Sequence, residues 1–540
     1  MVLRGPANSW TGWFAAVGLA VMVFLLYLSL TPQTTLWDRD EPRFAGAAVE
    51  MLESGQYLYP TFNLEPRLVK PILIYWLMAL STSILGQSEL ALRFWSPLGM
   101  ALACLFTYSI GRHLWSRWVG IVAMVVLATS PLVALEAVAA TTDAVLLAAV
   151  TASMAALVRF PSSQGTRRLM LVVGLALALA TALLTKGPVA LLVPILAVAG
   201  GAVLHNAWRS WSIARDVMVA AVLATGLFAL WAIPANAATG GRFLEVGIGR
   251  EVLQRMVVPF EGHGGSFIWT LPLYLVVIVA GFCPWTLVLP KAIRLLVGQC
   301  RNSIGSALIL AWIAGPLGLM SCVATKLPHY ILPLWPALSL ATAVVLVAGF
   351  ELNWRQTGVW LFLGGAVAGA GTLVWLAVVF PAARVPSFVM LLVLFTSVGA
   401  VWRLRSRSMA VAAVLSLAMV AHVVVAGVWL APLVEAFKPV PRVAAVVRSE
   451  TGRDVPVAAY GFGEPSLVFY VQRPPVEMLS SAASVRDWAD EPGPGVLVAT
   501  REALAGTEPL PLEEFYADEG LNYTKGEWIE LVVLRRDNPP

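Results

Sequence analysis

Apolar runs separated by short polar connections fill most of the chain. Runs of roughly 20 residues, the length that crosses a bilayer, recur near 12–30, 91–111, 117–135, 137–158, 169–185, 187–204, 213–234, 267–290, 304–323, 329–349, 356–380, 386–402 and 409–431. The pattern therefore predicts about thirteen membrane-spanning helices. The first run, Trp13 to Leu30, is followed by TPQTTLWDRDE and not by a small-residue cleavage site, so it reads as a retained helix. Pro71 to Gly86 is shorter, and reads either as a crossing or as a helix lying along the interface. From about Lys438 the period changes. PVAAYG, SLVFYV, GVLVAT and IELVVLRR have the look of strands, and VPRVAAVVRSE and AASVRDWADE of helices. The expected architecture is an all-α polytopic membrane domain over 1–437, with outer loops at 31–90 and 235–266, followed by a small α/β domain over 438–540.

Charge orients this arrangement. With the Pro71–Gly86 run lying flat, the connections holding Arg112 and Arg117, then Arg159, Arg167 and Arg168, then Arg209 and Arg215, fall on the side of the N-terminus. Lys291, Arg294 and Arg301, then Arg355, then Arg403, Arg405 and Arg407 follow them there. Short connections on the far side carry at most one basic residue, such as Lys186, Lys326 or Arg384. This is the positive-inside pattern. It predicts a cytoplasmic N-terminus and a periplasmic C-terminal domain in a bacterial inner membrane.

Composition narrows the classes. Of 540 residues, 59% are hydrophobic and 12% charged, too apolar for a soluble globular protein. The net charge of +5 comes from Lys and Arg distributed between apolar runs and not gathered on one face, which excludes a nucleic-acid partner. The four cysteines have no paired spacing that suggests a disulfide or a zinc site.

The unusual polar residues collect on the outer face. Asp38, Asp40, Glu41 and Arg43 crowd into WDRDEPRF, and Glu65 and Lys70 into EPRLVKP. A solvated loop start is the plain alternative. Asp143 stands nearly alone at the start of a span, where an ionisable group exposed to lipid is costly; it reads as facing a polar cavity, or as a helix cap. Lys186 in LTKGP and Lys326 in ATKLPHY interrupt apolar runs, and read either as anion ligands or as ammonium groups reaching the interface. The outer loop 235–266 adds Arg250, Glu251, Arg255, Glu261 and His263, and His422 reads as packing. Spans almost free of charge, without repeated halves, disfavour an ion or solute pathway. A site at the interface suits a substrate with a lipid tail and a polar head.

WDRDEPRF from Trp37, followed by AAVEML from Ala47, resembles the first outer loop of the aminoarabinose transferase and protein mannosyltransferase group, membrane glycosyltransferases of the GT-C class. KPILIYW from Lys70, LRF from Leu92, TKGP from Thr185, EGH from Glu261 and KLPHYILP from Lys326 continue the resemblance in order. It implies transfer of a sugar, with inversion, from a polyprenyl phosphate carrier such as undecaprenyl phosphate to lipid A or another envelope acceptor. It implies Asp40 as the catalytic aspartate, with Glu41 and Asp143 beside it, and Arg43, Lys70, Lys186, Arg255 and Lys326 as donor-phosphate ligands. The family pattern adds a divalent metal ion held by the loop histidine, here His263, and by an acid before the Lys-Pro pair, where this chain has Val69. The alternatives are a protein O-glycosyltransferase using the same kind of donor, and a lipid-carrier flippase.

Overall fold

A computed structural model describes residues 10–254, 272–507 and 509–536. The chain divides into two compact units. One holds the residues up to Thr31, Leu68–Ile74 and Arg93–Ala426; the other holds Pro32–Arg67, Tyr75–Leu92 and the chain from Gly427 onward.

The first unit is a bundle of apolar helices. Counting both units, ten helices among the described residues are long and apolar enough to cross a membrane, or eleven if a bent pair is one span. The thirteen expected runs exceed this for local reasons. Run 117–135 is divided into Arg117–Ala128 and Pro131–Ala137, bent by 68°, because Ser130 precedes a proline and takes an extended backbone (φ −83°, ψ 133°). Run 187–204 is interrupted by Pro188, leaving one 3₁₀ turn and the helix Leu192–Leu204. Run 267–290 lies partly outside the described residues, and its described helix is only Leu273–Gly281.

Two close approaches set the geometry that matters below. Gly99 lies against the backbone of Ala144, where a Cβ would stand 2.7 Å from the carbonyl oxygen. Helix Trp95–Leu114 can therefore press on the first turn of helix Asp143–Leu157, the small-residue packing that membrane helices favour. Helix Gly165–Lys186 is pinned at both ends by buried acids of neighbouring helices, Arg168 to Asp216 and Lys186 to Asp143. The two basic residues are about 27 Å apart at 1.5 Å per residue, close to the thickness of a hydrocarbon core.

The Pro71–Gly86 run forms a helix of 13 residues, Leu73–Leu85, which belongs to the second unit from Tyr75 onward. At about 20 Å it is too short to cross. Strands β1 (Thr61–Phe62) and β2 (Glu65–Pro66) form a small hairpin. The C-terminal sheet contains β3 (Val457–Tyr460), β4 (Val476–Leu479), β5 (Gly495–Thr500), β6 (Glu513–Asn522) and β7 (Glu527–Arg536), in the order β4-β3-β5-β7-β6. β3 is parallel to both β4 and β5, and β7 runs antiparallel to β5 and β6. Central β5 is buried along its whole length, as expected of a strand covered on both faces. Its Leu497 and Ala499 join Ala458, Val485, Trp488 and Val532 in the core.

Three of the four predicted C-terminal strands form. SLVFYV instead lies in the helix Pro465–Val471, with every residue buried. A short apolar run fits a buried helix as well as a strand; here Pro465 opens a helix, and Gln472, left-handed at φ 56°, closes it after seven residues. Strand β6 escapes the hydrophobic pattern because it is a charged edge strand, EEFYADEGLN.

Candidate functional site

The first unit builds a cavity from four connections. Asp143 occupies the first turn of its helix and Lys186 the last position of another, and Lys186 Nζ lies 2.6 Å from Asp143 Oδ1 with both side chains largely buried. The chain turns immediately after Lys186 because Gly187 adopts φ 73° and ψ −161°, a backbone open to glycine. Pro71 packs there, 3.8 Å from where a Gly187 Cβ would stand, which brings Lys70 into the same wall. His329 and Tyr330 enter from the 3₁₀ stretch Pro328–Leu334. Their rings meet edge to face at 5.1 Å, and the Lys186 ammonium sits 5.5 Å from the Tyr330 ring centroid.

The rest of the lining is apolar, including Leu146, Val150, Val193, Phe228, Phe243, Leu319 and Met320, around an open cavity whose roughly 1290 Å³ of empty space includes the solvent at its mouth. One end of this cavity is charged and the remainder greasy. Asp143 takes one of the three donors of the Lys186 ammonium. Lys186 is thus buried and paired with Asp143. Lys326 is also buried, outside the cavity lining.

In the second unit, the acidic segment runs into the helix Asp40–Ser54. Asp40 is solvent-exposed in its first turn and Arg43 is half-buried. Glu41 is buried, and its Oε2 accepts the Trp37 N–H at 2.7 Å, so this carboxylate organises the segment that precedes the helix. Acids in a first turn also suit the positive end of the helix dipole. Asp38 accepts the Ser466 N–H at 2.8 Å and the Ser466 hydroxyl. Burial is the main cause that pushes its carboxyl up to about 6, against the lowering effect of the Ser466 hydrogen bonds.

Arg255 and His263 lie outside the described residues. Among the described residues, no three His, Cys, Asp or Glu side chains gather as a metal site, and Val69 brings an apolar side chain to the cavity wall beside Lys70. The described donors therefore do not fit a metal ion. The residues that sequence reasoning missed are His329 and Tyr330 in the cavity, and Ser466, Tyr470 and Tyr523 in the second unit. The first two stand inside KLPHYILP, where the lysine drew the attention. Nothing local marks the other three.

Residues 69–233 match the family described as dolichyl-phosphate-mannose-protein mannosyltransferase. The chain is 31% identical over 329 residues to undecaprenyl phosphate-alpha-4-amino-4-deoxy-L-arabinose arabinosyl transferase 2 of Sodalis glossinidius, an alignment spanning 61% of this chain and 58% of that relative's length. It is 30% identical over 378 residues to the corresponding transferase 1 of Pseudomonas fluorescens, spanning 69% of this chain and 67% of the relative. In fold it resembles ArnT from Cupriavidus metallidurans bound to undecaprenyl phosphate, with a TM-score of 0.78, 20% identity, and coverage of 97% and 98% of the two chains. A more distant likeness joins it to the archaeal oligosaccharyltransferase AglB from Archaeoglobus fulgidus, with a TM-score of 0.54, 13% identity, and coverage of 96% and 74%. Taken with its multiple membrane-spanning helices, the similarity to the Pseudomonas fluorescens transferase shows that this chain belongs to the family of undecaprenyl phosphate-aminoarabinose arabinosyl transferases, membrane glycosyltransferases of GT-C type.

Proposed function

We propose that this protein transfers a sugar from a polyprenyl phosphate carrier, undecaprenyl phosphate, to lipid A or another envelope acceptor at the periplasmic face of the bacterial inner membrane. The observation that carries the reading is the cavity of the membrane unit, whose apolar walls end at Lys70, Lys186, His329 and Tyr330. A prenyl chain is matched by the apolar walls and its phosphate by the charged end. The relatives named above are transferases of an undecaprenyl phosphate-linked sugar, and the positive-inside distribution of Lys and Arg supports the periplasmic assignment.

In the reaction, an acceptor oxygen attacks the anomeric carbon, and the bond from that carbon to the phosphate oxygen breaks with inversion. The electron pair leaves on the lipid phosphate. Lys186 and Lys70 stabilise that charge from fixed positions; Arg43 and Arg255 add cationic donors, and Lys326 adds positive charge from outside the cavity lining. Arg grips a phosphate bidentately and Lys acts as a point charge. Exposed Asp40 takes the proton of an acceptor hydroxyl, work worth about 10² to 10⁴ in rate. If the acceptor oxygen is already an ionised phosphate, Asp40 orients it and no proton moves. Asp143 holds the Lys186 ammonium in place.

Mass spectrometry of lipid A from cells with the protein, without it, and with Asp40→Asn tests the reading. A sugar-sized mass present only with the unaltered protein supports it. Equal masses in all three remove lipid A as the acceptor, and retained transfer by Asp40→Asn removes Asp40 as the base.

A further inference from the structure

Four consecutive backbone N–H groups before Asp40 belong to no helix or strand, and each is received by a side chain. Thr35 N–H donates to Glu435 at 3.1 Å, Leu36 N–H to the Tyr470 hydroxyl at 2.7 Å, Trp37 N–H to Glu41 at 2.7 Å, and Asp38 N–H to the Tyr523 hydroxyl at 2.5 Å. Three of the four acceptors come from residues beyond 430. More contacts from the same region grip the segment's other groups. Lys438 Nζ donates to the Thr35 carbonyl at 3.0 Å and lies 3.6 Å from the centroid of the Trp37 ring. The Asp38 carboxylate binds the N–H and hydroxyl of Ser466, and Arg39 pairs with Glu464 at 3.1 Å. Tyr470 is anchored in turn by donating to Glu89 at 3.0 Å. The next residue along the chain is Asp40.

We propose that the C-terminal sheet domain is a positioning module for transfer: through Tyr470, Ser466 and Tyr523 it holds residues 36–38, and so fixes the direction of the helix start that carries Asp40 and Arg43. The inference rests on Asp40 being the reacting carboxylate. An extended segment with no ladder of its own has its path set by whatever receives its N–H groups, because a buried N–H left unpaired is costly. Here the receivers are hydroxyls on a helix (Pro465–Val471) and on the β6–β7 turn, so the sheet domain templates the segment as a neighbouring strand otherwise would. A bland reading also exists, in which the same contacts only dock the domain. The two differ in what a lost hydroxyl does to turnover.

The test uses the full-length protein in lipid vesicles, with undecaprenyl phosphate-linked 4-amino-4-deoxy-L-arabinose as donor probe and lipid A as acceptor, comparing Tyr523→Phe, Ser466→Ala, Ser466→Thr and Asp40→Asn. Displacement of a reacting group by about 1 Å can cost on the order of 100-fold in rate. The expected result is that Tyr523→Phe and Ser466→Ala lower kcat by about 10- to 100-fold with donor KM unchanged and only the small fall in melting temperature that one lost hydrogen bond produces, and that Ser466→Thr, which keeps both donors, restores kcat. Hydrogen exchange at the Asp38 amide is expected to quicken in Tyr523→Phe. Unchanged kcat in both hydroxyl-deletion variants, while Asp40→Asn is inactive, overturns the positioning role and leaves the functional reading standing. A parallel fall of melting temperature and kcat that Ser466→Thr does not rescue assigns the contacts to docking alone, and also overturns it. Full activity of Asp40→Asn, or no transfer by the unaltered protein, removes the functional reading and this inference with it.

Discussion

The cavity of the membrane unit and the segment before Asp40 both hold polar groups away from water, by opposite means. Around Lys186, one short ion pair with Asp143 does it, beside the ring of Tyr330. Around residues 35–38, a distributed set of hydroxyls, carboxylates and backbone groups does it, with two of the four N–H groups received by tyrosine hydroxyls and two by glutamates. The difference follows from the medium. Where water and neighbouring polar groups are scarce, the attraction between opposite charges is strong, and an unpaired charge is correspondingly expensive. Where the chain meets a polar domain, many modest hydrogen bonds share the task, and each is worth about 1 kcal/mol net. The first arrangement positions a charge; the second positions a backbone.

Breaking the ion pair has the largest expected effect. Asp143→Ala leaves the Lys186 ammonium buried without its counter-charge, a loss of about 3 to 5 kcal/mol when one partner of a buried pair is removed. The double variant Asp143→Asn with Lys186→Met, which removes both charges, is expected to regain most of that stability while losing affinity for undecaprenyl phosphate. Thermal unfolding in detergent and a lipid-binding assay read the two effects separately; equal melting temperatures for the single and double variants contradict the pairing.

The segment side is sharpened by pH. The Asp38 carboxyl is pushed up to about 6, above its ordinary unfolded value of about 3.9. Between those values the folded state binds more protons than the unfolded one, so stability contributed by this group falls as pH rises from about 4 to about 6 and is level above. The charged and titratable neighbours that modulate it are Glu464, Lys438 and Tyr523. Asp38→Asn is expected to remove this part of the slope in chemical-denaturation measurements taken from pH 4 to 7. A slope unchanged by the substitution assigns it to other groups.

A control with a small expected effect completes the comparison. Arg501 binds Glu514 at 2.6 Å and Glu530 at 2.7 Å, contacts as short as the Lys186 pair, but on a solvated face of the sheet. Screening and high dielectric leave such pairs little net worth. Arg501→Gln is therefore expected to leave the melting temperature almost unmoved, and a drop rivalling that of Asp143→Ala refutes the argument from medium.

Much of the membrane unit was legible because lipid is a demanding solvent: a crossing segment needs length and apolarity, both visible in the residues themselves. The end of helix Gly165–Lys186, at the breaker pair Gly187–Pro188, could be read to within one residue, whereas its start lies four residues before the apolar run at 169–185, in a turn that carries Arg167 and Arg168. The C-terminal sheet was harder. GVLVAT declared itself as a buried strand, whereas SLVFYV, equally apolar, became a helix whose Ser466 and Tyr470 reach the first outer segment.

The sequence by itself determined which residues had to leave lipid and which polar types stood at the membrane boundary, because burial of apolar surface and the cost of an exposed charge act on each residue locally. Only the tertiary structure decided the partners. It chose Asp143 for Lys186, added His329 and Tyr330 to the same wall, and brought Tyr470 and Tyr523 to amides 434 and 485 positions earlier in the chain. Hydrogen bonds depend on distances of tenths of an ångström between groups that no local pattern relates, so their pairing is settled only when the units have folded.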